Sequence, residues 1–221
     1  MSATPAKRAV AAERVAIPGP AGALEALVEE ARAPAPVVAV VCHPHPLHGG
    51  TMTNKVVHTV GRALNRLGAM TIRFNFRGVG ESAGTYAHGI GEREDAVAVV
   101  EWARSVRPDA RLVLAGFSFG AAVAVSVAAR LDAAALVSVA LPVERLPADL
   151  VLPTCPWLVV HGSEDEIVAL DDVRRWLERQ AADARFAVIE GATHFFHGKL
   201  TVLADAVAAF ARDDVGLGSL A

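Results

Sequence analysis

The strongest constraint on the fold of this chain is a regular alternation between short apolar runs and segments with helical periodicity. The apolar runs occupy residues 36–44, 69–76, 110–117, 134–141, 156–162 and 184–191. Short runs that are apolar almost throughout are typical of parallel strands buried on both faces of a sheet. We therefore expect six buried strands in a parallel arrangement.

The segments between these runs repeat apolar residues every three or four positions, as amphipathic helices do. The repeating positions are Val57, Val60, Gly61 and Leu64; Ala96, Val99, Val100 and Ala103; Val173, Trp176 and Leu177; and Leu203, Ala206, Val207 and Phe210. Each segment places one apolar stripe toward a sheet. The alternation predicts an α/β fold, a three-layer α/β/α sandwich built on a mostly parallel, twisted sheet.

Two local features refine the ends of these elements. Segments 12–18 and 23–31 flank the turn sequence Gly-Pro-Ala-Gly, which predicts an N-terminal antiparallel hairpin at the edge of the sheet. Glu92, Glu94 and Asp95 precede the second helical stripe. We expect all three in the first turn of that helix, where carboxylates interact favourably with the positive end of the helix dipole.

Length and composition limit the organisation of the chain. Its 221 residues contain no repeat or long linker, which indicates a single domain over residues 1–221 with flexible ends at 1–12 and 213–221. A hydrophobic content of 53% and a mean hydropathy of +0.37 indicate a well-filled core. The two cysteines, Cys42 and Cys155, have no metal-ligand spacing, and we expect both to be buried thiols.

Charge and hydropathy also exclude several classes of partner. The formal net charge is -3, the pI is near 6.2 and the basic residues are scattered, so we expect no nucleic-acid partner. No apolar run approaches the ~20 residues of a membrane-spanning helix, and residues 1–15 lack the apolar core of a signal peptide. We expect a soluble cytoplasmic protein, a monomer or homodimer, that acts on a small molecule without binding membranes.

Two stretches match the Gly-x-Ser-x-Gly pattern of serine hydrolases, one around Ser82 at 80–84 and one around Ser118 at 116–120. A nucleophile of this kind lies on a sharp turn between a buried strand and a helix. Ser118 meets that condition, because the run RLVLA precedes its motif and the helix-forming run AAVAVSVAARL follows it. We expect Ser118 to be the nucleophile and the amide of Phe119 to be one donor to the oxyanion.

Ser82 fails the same test. Its motif follows the glycine-rich turn RGVG and precedes TYAHGIG, which has the composition of a loop. We expect the Ser82 hydroxyl to bond to the backbone of that turn rather than to attack a substrate.

A serine nucleophile needs a general base that is oriented by a carboxylate, in the chain order serine, acid, histidine. Asp165 follows the fifth run in HGSEDEIV and is the expected acid. Glu164 and Glu166 flank Asp165 and are either competing acids or simply solvated charges of the loop. Glu144, which follows an earlier strand, is a further candidate for the acid.

The expected base is His194, in the sequence GATHFFHG after the last run. His197 lies three residues further on and is expected at the surface or at the rim of the pocket. His161, immediately before Gly162, is expected to be a packed residue that fixes the loop carrying the acid.

The second oxyanion donor is expected in the loop CHPHPLHGGTMTNK after the first run. Pro44 and Pro46 have no amide hydrogen, which leaves the amides of His45 and Leu47 as the two candidates. The closely spaced histidines of this loop raise the alternative of a metal site. We expect no metal and no cofactor, because the prolines separate the imidazoles and the serine chemistry needs no ion.

The ordered motifs CHPHPLHGGTM, RFNFRGVGES, GFSFGA, HGSEDEIV and GATHFFHGKL resemble the alpha/beta hydrolase superfamily, specifically a group of small bacterial hydrolases similar in size to dienelactone hydrolase. The resemblance spans about residues 15–212 and implies the same triad, Ser118, Asp165 and His194. It also implies that Asn75 and Arg77 tie neighbouring loops together. The short segment VERLPADLVLP between two strands is similar to relatives that lack a lid.

The residues and the resemblance together predict a carboxylesterase-like serine hydrolase for small or short-acyl esters. A thioesterase and a lactone or dienelactone-type hydrolase are alternatives, since the same groups serve any activated acyl compound. A binding or scaffolding protein that retains the fold without catalysis is the alternative outside the enzymes.

Overall fold

A computed structural model describes residues 12–218, which form eight strands and five α-helices. The strands are β1 Glu13–Gly19, β2 Gly22–Glu29, β3 Val37–Cys42, β4 Met70–Phe74, β5 Arg111–Phe117, β6 Ala135–Val139, β7 Trp157–Gly162 and β8 Arg185–Ile189. The helices are α1 Lys55–Arg66, α2 Ile90–Val106, α3 Phe119–Ala128, α4 Leu170–Arg179 and α5 Leu200–Asp213. Two short 3-10 helices, Pro46–His48 and Val143–Arg145, lie in the loops after β3 and β6.

All strands join one sheet in the order β1-β2-β4-β3-β5-β6-β7-β8. β1 and β2 form the predicted antiparallel hairpin at one edge, and β2 is also antiparallel to β4. The six strands β3 to β8 are parallel to one another. The chain first moves from β3 toward β4 and then returns to add β5 on the other side of β3. In such sheets the reversal leaves a crevice at the carboxyl ends of the two central strands, which here are β3 and β5.

Alternate residues of the central strands enter two separate cores. Val38, Val40 and Cys42 of β3 pack on the side of α2, α3 and α4, and the residues between them pack on the side of α1 and α5. Because both faces are covered, every residue of β3 is buried, which explains the continuous apolar run of that strand. The expectation of six buried strands was wrong for β8, which lies at the edge of the sheet and is only partly buried. The predicted three-layer sandwich is confirmed.

The expectation for the first turn of the second helix was only partly right. α2 begins at Ile90 and includes Glu92 in its first turn, where the buried Glu92 carboxylate accepts the amides of Ala87 (2.8 Å) and Gly89 (2.7 Å). Glu94 and Asp95 lie beyond that turn, so the expectation was wrong for them. Glu94 is exposed and pairs with Arg130, while Asp95 is fully buried.

The chain ends and the cysteines differ in part from the sequence expectations. Of the residues 1–12 expected to be flexible, 1–11 lie outside the described residues, as do 219–221 at the other end. Residues 213–218 pack against the domain, since Val215 and Leu217 are buried and the amide of Leu217 donates to the Ala211 carbonyl at 2.8 Å. Cys42 is buried as expected, but Cys155 is only half-buried. Within residues 12–218, no helix has the length and apolarity required to cross a membrane.

Candidate active site

Ser118 stands on a strained turn between β5 and α3, at the crevice between the central strands. Its backbone has φ 52° and ψ -122°, a conformation that costs free energy for a residue with a side chain. Its amide donates to the Val139 carbonyl of β6 at 2.8 Å, which anchors the turn to the sheet. The hydroxyl is thereby held at the carboxyl edge of the sheet, directly before the first residue of α3.

The two glycines of this motif are required because the backbone segments approach closely. A Cβ at Gly120 would lie 2.6 Å from the carbonyl carbon of Cys42 and closer still to the carbonyl oxygens of Cys42 and His43. A Cβ at Gly116 would overlap the carbonyl of Gly120 and lie 2.6 Å from the amide nitrogen of Ala121. Only hydrogen fits at either position, so α3 can start directly over the ends of β3 and β5.

Ser82 lies in a different environment. Its hydroxyl donates to the Asn75 carbonyl at 2.7 Å and accepts the amide of Glu25 from β2 at 2.9 Å. Asn75 extends this connection, since its side chain accepts the Met52 amide at 2.8 Å. The buried Ser82 therefore links its turn to the N-terminal hairpin, and its hydroxyl is occupied by backbone groups.

Arg77, in the same turn, is tied to α2. Its Nε and Nη2 donate to the two oxygens of Asp95 at 3.0 and 2.7 Å, and its amide also donates to that carboxylate at 3.0 Å. Asn75 thus connects to the loop residue Met52, as the resemblance implied, whereas Arg77 ties its turn to a helix and not to a neighbouring loop.

The side chains of Ser118, His194 and Asp165 form one continuous chain of hydrogen bonds. His194 Nε2 lies 3.1 Å from Ser118 Oγ, and His194 Nδ1 lies 2.9 and 3.0 Å from the two oxygens of Asp165. An ionised carboxylate only accepts hydrogen bonds, so Nδ1 carries the hydrogen and Nε2 is free to accept the serine proton. Three loops, after β5, β7 and β8, thus bring together residues that are far apart in the sequence.

The loop after β7 holds Asp165 in its ionised form. The amides of Ile167 and Val168 donate to Asp165 Oδ1 at 2.9 and 2.8 Å. Burial alone would raise the pKa of Asp165, but the hydrogen bonds from His194 and from these amides lower it below its ordinary value. His161 Nε2 donates to the Val168 carbonyl at 2.9 Å and lies 3.5 Å from Asp165 Oδ2, in agreement with its expected role of fixing this loop.

The other acidic and basic candidates occupy separate positions. Glu166 is exposed, in keeping with a solvated loop charge, and it also accepts the amide of His194 at 3.1 Å, which holds the backbone of that loop. Glu164 is exposed, and Glu144 lines the pocket without contacting His194. His197 is exposed, as expected.

His43 fixes the start of the loop that follows β3. Its Nε2 accepts the amide of Phe76 at 3.0 Å, and its Nδ1 donates to the Pro44 carbonyl at 2.6 Å. Burial lowers the pKa of His43 to about 4, so the ring is neutral at physiological pH. Both of its nitrogens are engaged by backbone groups, and residues 12–218 contain no cluster of side chains suited to a metal ion.

The two candidate amides of this loop differ in their surroundings. His45 lines the same pocket as Ser118 and Phe119. Leu47 is 68% exposed and does not line that pocket, and its amide donates to His45 Nδ1 at 3.3 Å. As the first residue of α3, Phe119 has an amide that no carbonyl of its own helix can accept.

Tyr86 contacts this loop and was missed by sequence reasoning. Its hydroxyl lies 3.2 Å from His45 Nε2, and its ring packs against those of His45 and Phe119. Because His45 Nδ1 accepts the Leu47 amide, Nε2 carries the hydrogen and donates to the tyrosine oxygen. Tyr86 is the single tyrosine of the chain, but it belongs to no motif that would have marked it.

The pocket above Ser118 has a volume of about 260 Å³. His194 and Ser118 lie at its base, while Ile167 and Phe195 form a rim that is 60% and 40% exposed. The connection between β6 and β7 contains only the 3-10 helix Val143–Arg145, so no lid covers the opening. The pocket is small, largely apolar at its rim and open to solvent.

Comparisons with known proteins place the chain among the alpha/beta hydrolases. The model of the alpha/beta hydrolase domain family matches residues 39–204. A crystal structure of an α/β serine hydrolase without a lid, from Xanthomonas campestris, is 42% identical, covers 95% of this chain and 97% of its own, and superposes with a TM-score of 0.89. An alpha-beta serine hydrolase homologue from Coxiella burnetii is 44% identical over 89% of this chain and 96% of its own, with a TM-score of 0.86.

Among curated sequences, an uncharacterized protein of Rickettsia prowazekii is 34% identical over 200 residues, which span 86% of this chain and 84% of the relative.

Proposed function

We propose that this chain, which belongs to the alpha/beta hydrolase family, cleaves small carboxylic esters through an acyl-enzyme on Ser118. The observation that carries the proposal is the unbroken hydrogen-bond chain Asp165–His194–Ser118, which ends on a serine at the start of a helix. The likeness to serine hydrolases from Xanthomonas campestris and Coxiella burnetii, each more than 40% identical, supports hydrolysis as the class of reaction.

In the first half of the reaction, Ser118 Oγ attacks the ester carbonyl while His194 Nε2 removes its proton. The imidazolium that forms is stabilised by the Asp165 carboxylate at Nδ1, 2.9 Å away. His194 then gives the proton to the alcohol oxygen, the bond between the carbonyl carbon and that oxygen breaks, and the acyl group stays on Ser118.

The negative charge on the carbonyl oxygen of the intermediate needs hydrogen-bond donors. The Phe119 amide supplies one, and its position at the N-terminus of α3 adds the positive end of the helix dipole. The His45 amide is the second donor we favour, since His45 lines the pocket and the competing Leu47 amide is directed to the His45 ring.

In the second half, a water molecule loses a proton to His194 Nε2 and attacks the acyl carbonyl, and the acid leaves as Ser118 regains its proton. The open pocket gives water direct access to the acyl-enzyme. Its volume of about 260 Å³ favours short acyl or small alcohol groups, and the missing lid removes a surface that would grip a long chain.

Fluorophosphonate labelling and ester turnover test this proposal. Wild-type protein should hydrolyse 4-nitrophenyl acetate and butyrate and should carry the label on Ser118 in peptide mass spectrometry. Ser118→Ala should lose both turnover and labelling, whereas Ser82→Ala, the matched serine of the second motif, should keep the label. Labelling that persists in Ser118→Ala, or that is lost only in Ser82→Ala, would contradict the assignment.

A comparison of esters, thioesters and lactones by kcat/KM would define the class of acyl substrate. Asp165→Asn should lower kcat by about 10³- to 10⁴-fold, because an amide cannot hold His194 in the tautomer that accepts the serine proton. Wild-type protein that hydrolyses none of these compounds and leaves Ser118 unlabelled would favour a binding or scaffolding role.

A further inference from the structure

A second hollow adjoins the pocket above Ser118 on the side of α2 and α3. It has a volume of about 280 Å³ and is lined by residues that include His88 and Arg93. Phe119, Glu144 and Arg145 line both this hollow and the catalytic pocket. Arg145 lines both spaces, so a substrate whose ester group lies at Ser118 has a guanidinium group in the wall of the same pocket, next to the second hollow.

Two arginines contribute positive charge to this second hollow. Arg93 Nε donates to the Gly89 carbonyl at 3.0 Å, which steadies the side chain while its two terminal nitrogens have no protein partner among residues 12–218. The Arg145 side chain is exposed, and its guanidinium has no hydrogen-bond or ion-pair partner within residues 12–218. Arg145 lines the catalytic pocket together with His45 of the loop after β3. Burial and, next, the charge of Arg145 lower the pKa of His45.

The second hollow is lined by fewer acidic than basic side chains. Glu144 is the one acidic side chain in the lining of the second hollow, against two arginines. Glu144 also lines a third hollow on the opposite side of the pocket, next to Asp172 and Arg179, a space that Arg145 does not reach. The lining of the second hollow thus carries two positive charges and one negative charge, and the terminal nitrogens of Arg93 and the Arg145 guanidinium are available to a ligand.

We propose that the hollow between Arg93 and Arg145 binds a carboxylate of the substrate, so that the preferred esters carry a second, free carboxylate group. This inference rests on the proposed esterase function and names the substrate class of the same site. Guanidinium groups bind carboxylates through paired hydrogen bonds, which fix orientation as well as charge. In a site without a lid, such an anchor supplies the remote binding that holds the ester bond against Ser118.

Matched pairs of esters test the carboxylate preference and identify the end of the substrate that carries it. On the acyl side, 4-nitrophenyl hydrogen glutarate and 4-nitrophenyl pentanoate have acyl chains of equal length that differ in a terminal carboxylate. On the alcohol side, 4-carboxyphenyl butyrate is compared with 4-carbamoylphenyl butyrate. Each kcat/KM is measured after subtraction of the uncatalysed rate.

Wild-type protein should prefer the carboxylate ester of at least one pair by about fivefold or more, and the preference should decrease as salt is added. Arg145→Gln and Arg93→Gln should each reduce kcat/KM for that ester by about threefold to tenfold, with less than about a twofold change for its neutral partner. Arg179→Gln is the matched control, since it removes the same charge from the opposite hollow, and it should leave the preference unchanged.

Three results would overturn the carboxylate site. Equal kcat/KM values within both pairs for wild-type protein would do so while leaving the esterase proposal intact. An equal loss for charged and neutral esters in Arg145→Gln would assign that side chain to the shape of the pocket. An Arg179→Gln variant that loses the preference as strongly would assign it to the overall charge. If wild-type protein hydrolyses neither member of either pair, the proposed function itself fails, and the inference fails with it.

Discussion

Substitution of Gly120 by alanine tests whether the close approach of α3 to the sheet positions the reacting groups. A Cβ at this position would lie 2.6 Å from the Cys42 carbonyl carbon, whereas ordinary van der Waals contact begins at 3.4 Å. The obstacle is backbone of β3 and of the loop that follows it, which cannot rotate away as a side chain can. The start of α3 and that loop must therefore separate by about 1 Å.

This displacement has two consequences of different size. Overpacking of this kind costs about 1–3 kcal/mol of stability, which corresponds to a decrease in Tm of about 2 to 12 °C for a domain of this length. The effect on turnover should be larger, because the Phe119 amide moves with α3 while the His45 amide stays with the other loop. A misplacement of about 1 Å in a reacting constellation costs about 10²-fold in kcat.

Steady-state hydrolysis of 4-nitrophenyl butyrate and thermal unfolding would be measured on the same preparations. Gly120→Ala should fold, melt somewhat lower and lose about 10²-fold in kcat. Gly61→Ala is the matched control, since it lies in α1 and its Cβ would be 3.3 Å from the Arg73 side chain, which must move by only a few tenths of an ångström. Its kcat should be unchanged. A Gly120→Ala variant with wild-type kcat at any Tm would refute the reasoning, because the two donor loops would then not depend on this contact.

Three further measurements follow from the structure. Tyr86→Phe removes the hydroxyl that receives the hydrogen bond of His45 Nε2 at 3.2 Å; kcat for short esters should fall about fivefold with KM unchanged, and an unchanged kcat would contradict a positioning role. His43 has an ordinary pKa of 6.5 that burial lowers to about 4, so the unfolded chain binds more protons between these values; its contribution to stability should be complete above pH 6.5 and decrease by about 3 kcal/mol as the pH falls to 4. Urea unfolding measures the free energy of unfolding at pH 7 and at pH 4. The decrease between the two should be about 3 kcal/mol smaller in His43→Gln than in wild-type protein, and equal decreases would disprove the prediction. Asp95→Asn leaves the charge of Arg77 without its buried partner and should cost about 3 kcal/mol in urea unfolding, which an unchanged midpoint would exclude.

The strands of the sheet could be predicted because the hydrophobic pattern of each one lies within a few consecutive residues. The β3 run is apolar at every position because both faces of that strand are covered, and the same holds for β5 after its exposed first residue, Arg111. The GFSFG segment likewise contains its own context, a buried strand before Ser118 and a helix after it. The comparison of Ser118 with Ser82 needed only this neighbouring sequence, and the two hydroxyls do have the different partners that it predicted.

Other features depend on contacts between residues far apart in the sequence. Nothing near Tyr86 in the chain indicates that its hydroxyl meets His45, and nothing near Glu166 indicates that it accepts the His194 amide. The exposure of Leu47 follows from the 3-10 helix Pro46–His48, which turns that side chain outward. Asp95 was misplaced because α2 begins at Ile90, which leaves this residue beyond the first turn, and its partner Arg77 lies in a loop outside its own helix.

The sequence by itself determined the strands, the helices, their alternation and the chain order of the serine, the acid and the histidine. These properties follow from hydrophobic periodicity and turn composition, which act over a few residues and are therefore visible in a linear string. Only the tertiary structure decided which side chains hold the loops around Ser118, that Arg145 lines the pocket above it, and that Arg93 lines the adjoining hollow. Those outcomes depend on how the loops at the carboxyl edge of the sheet pack together, and hydrogen bonds across such distances leave no periodic signal in the sequence.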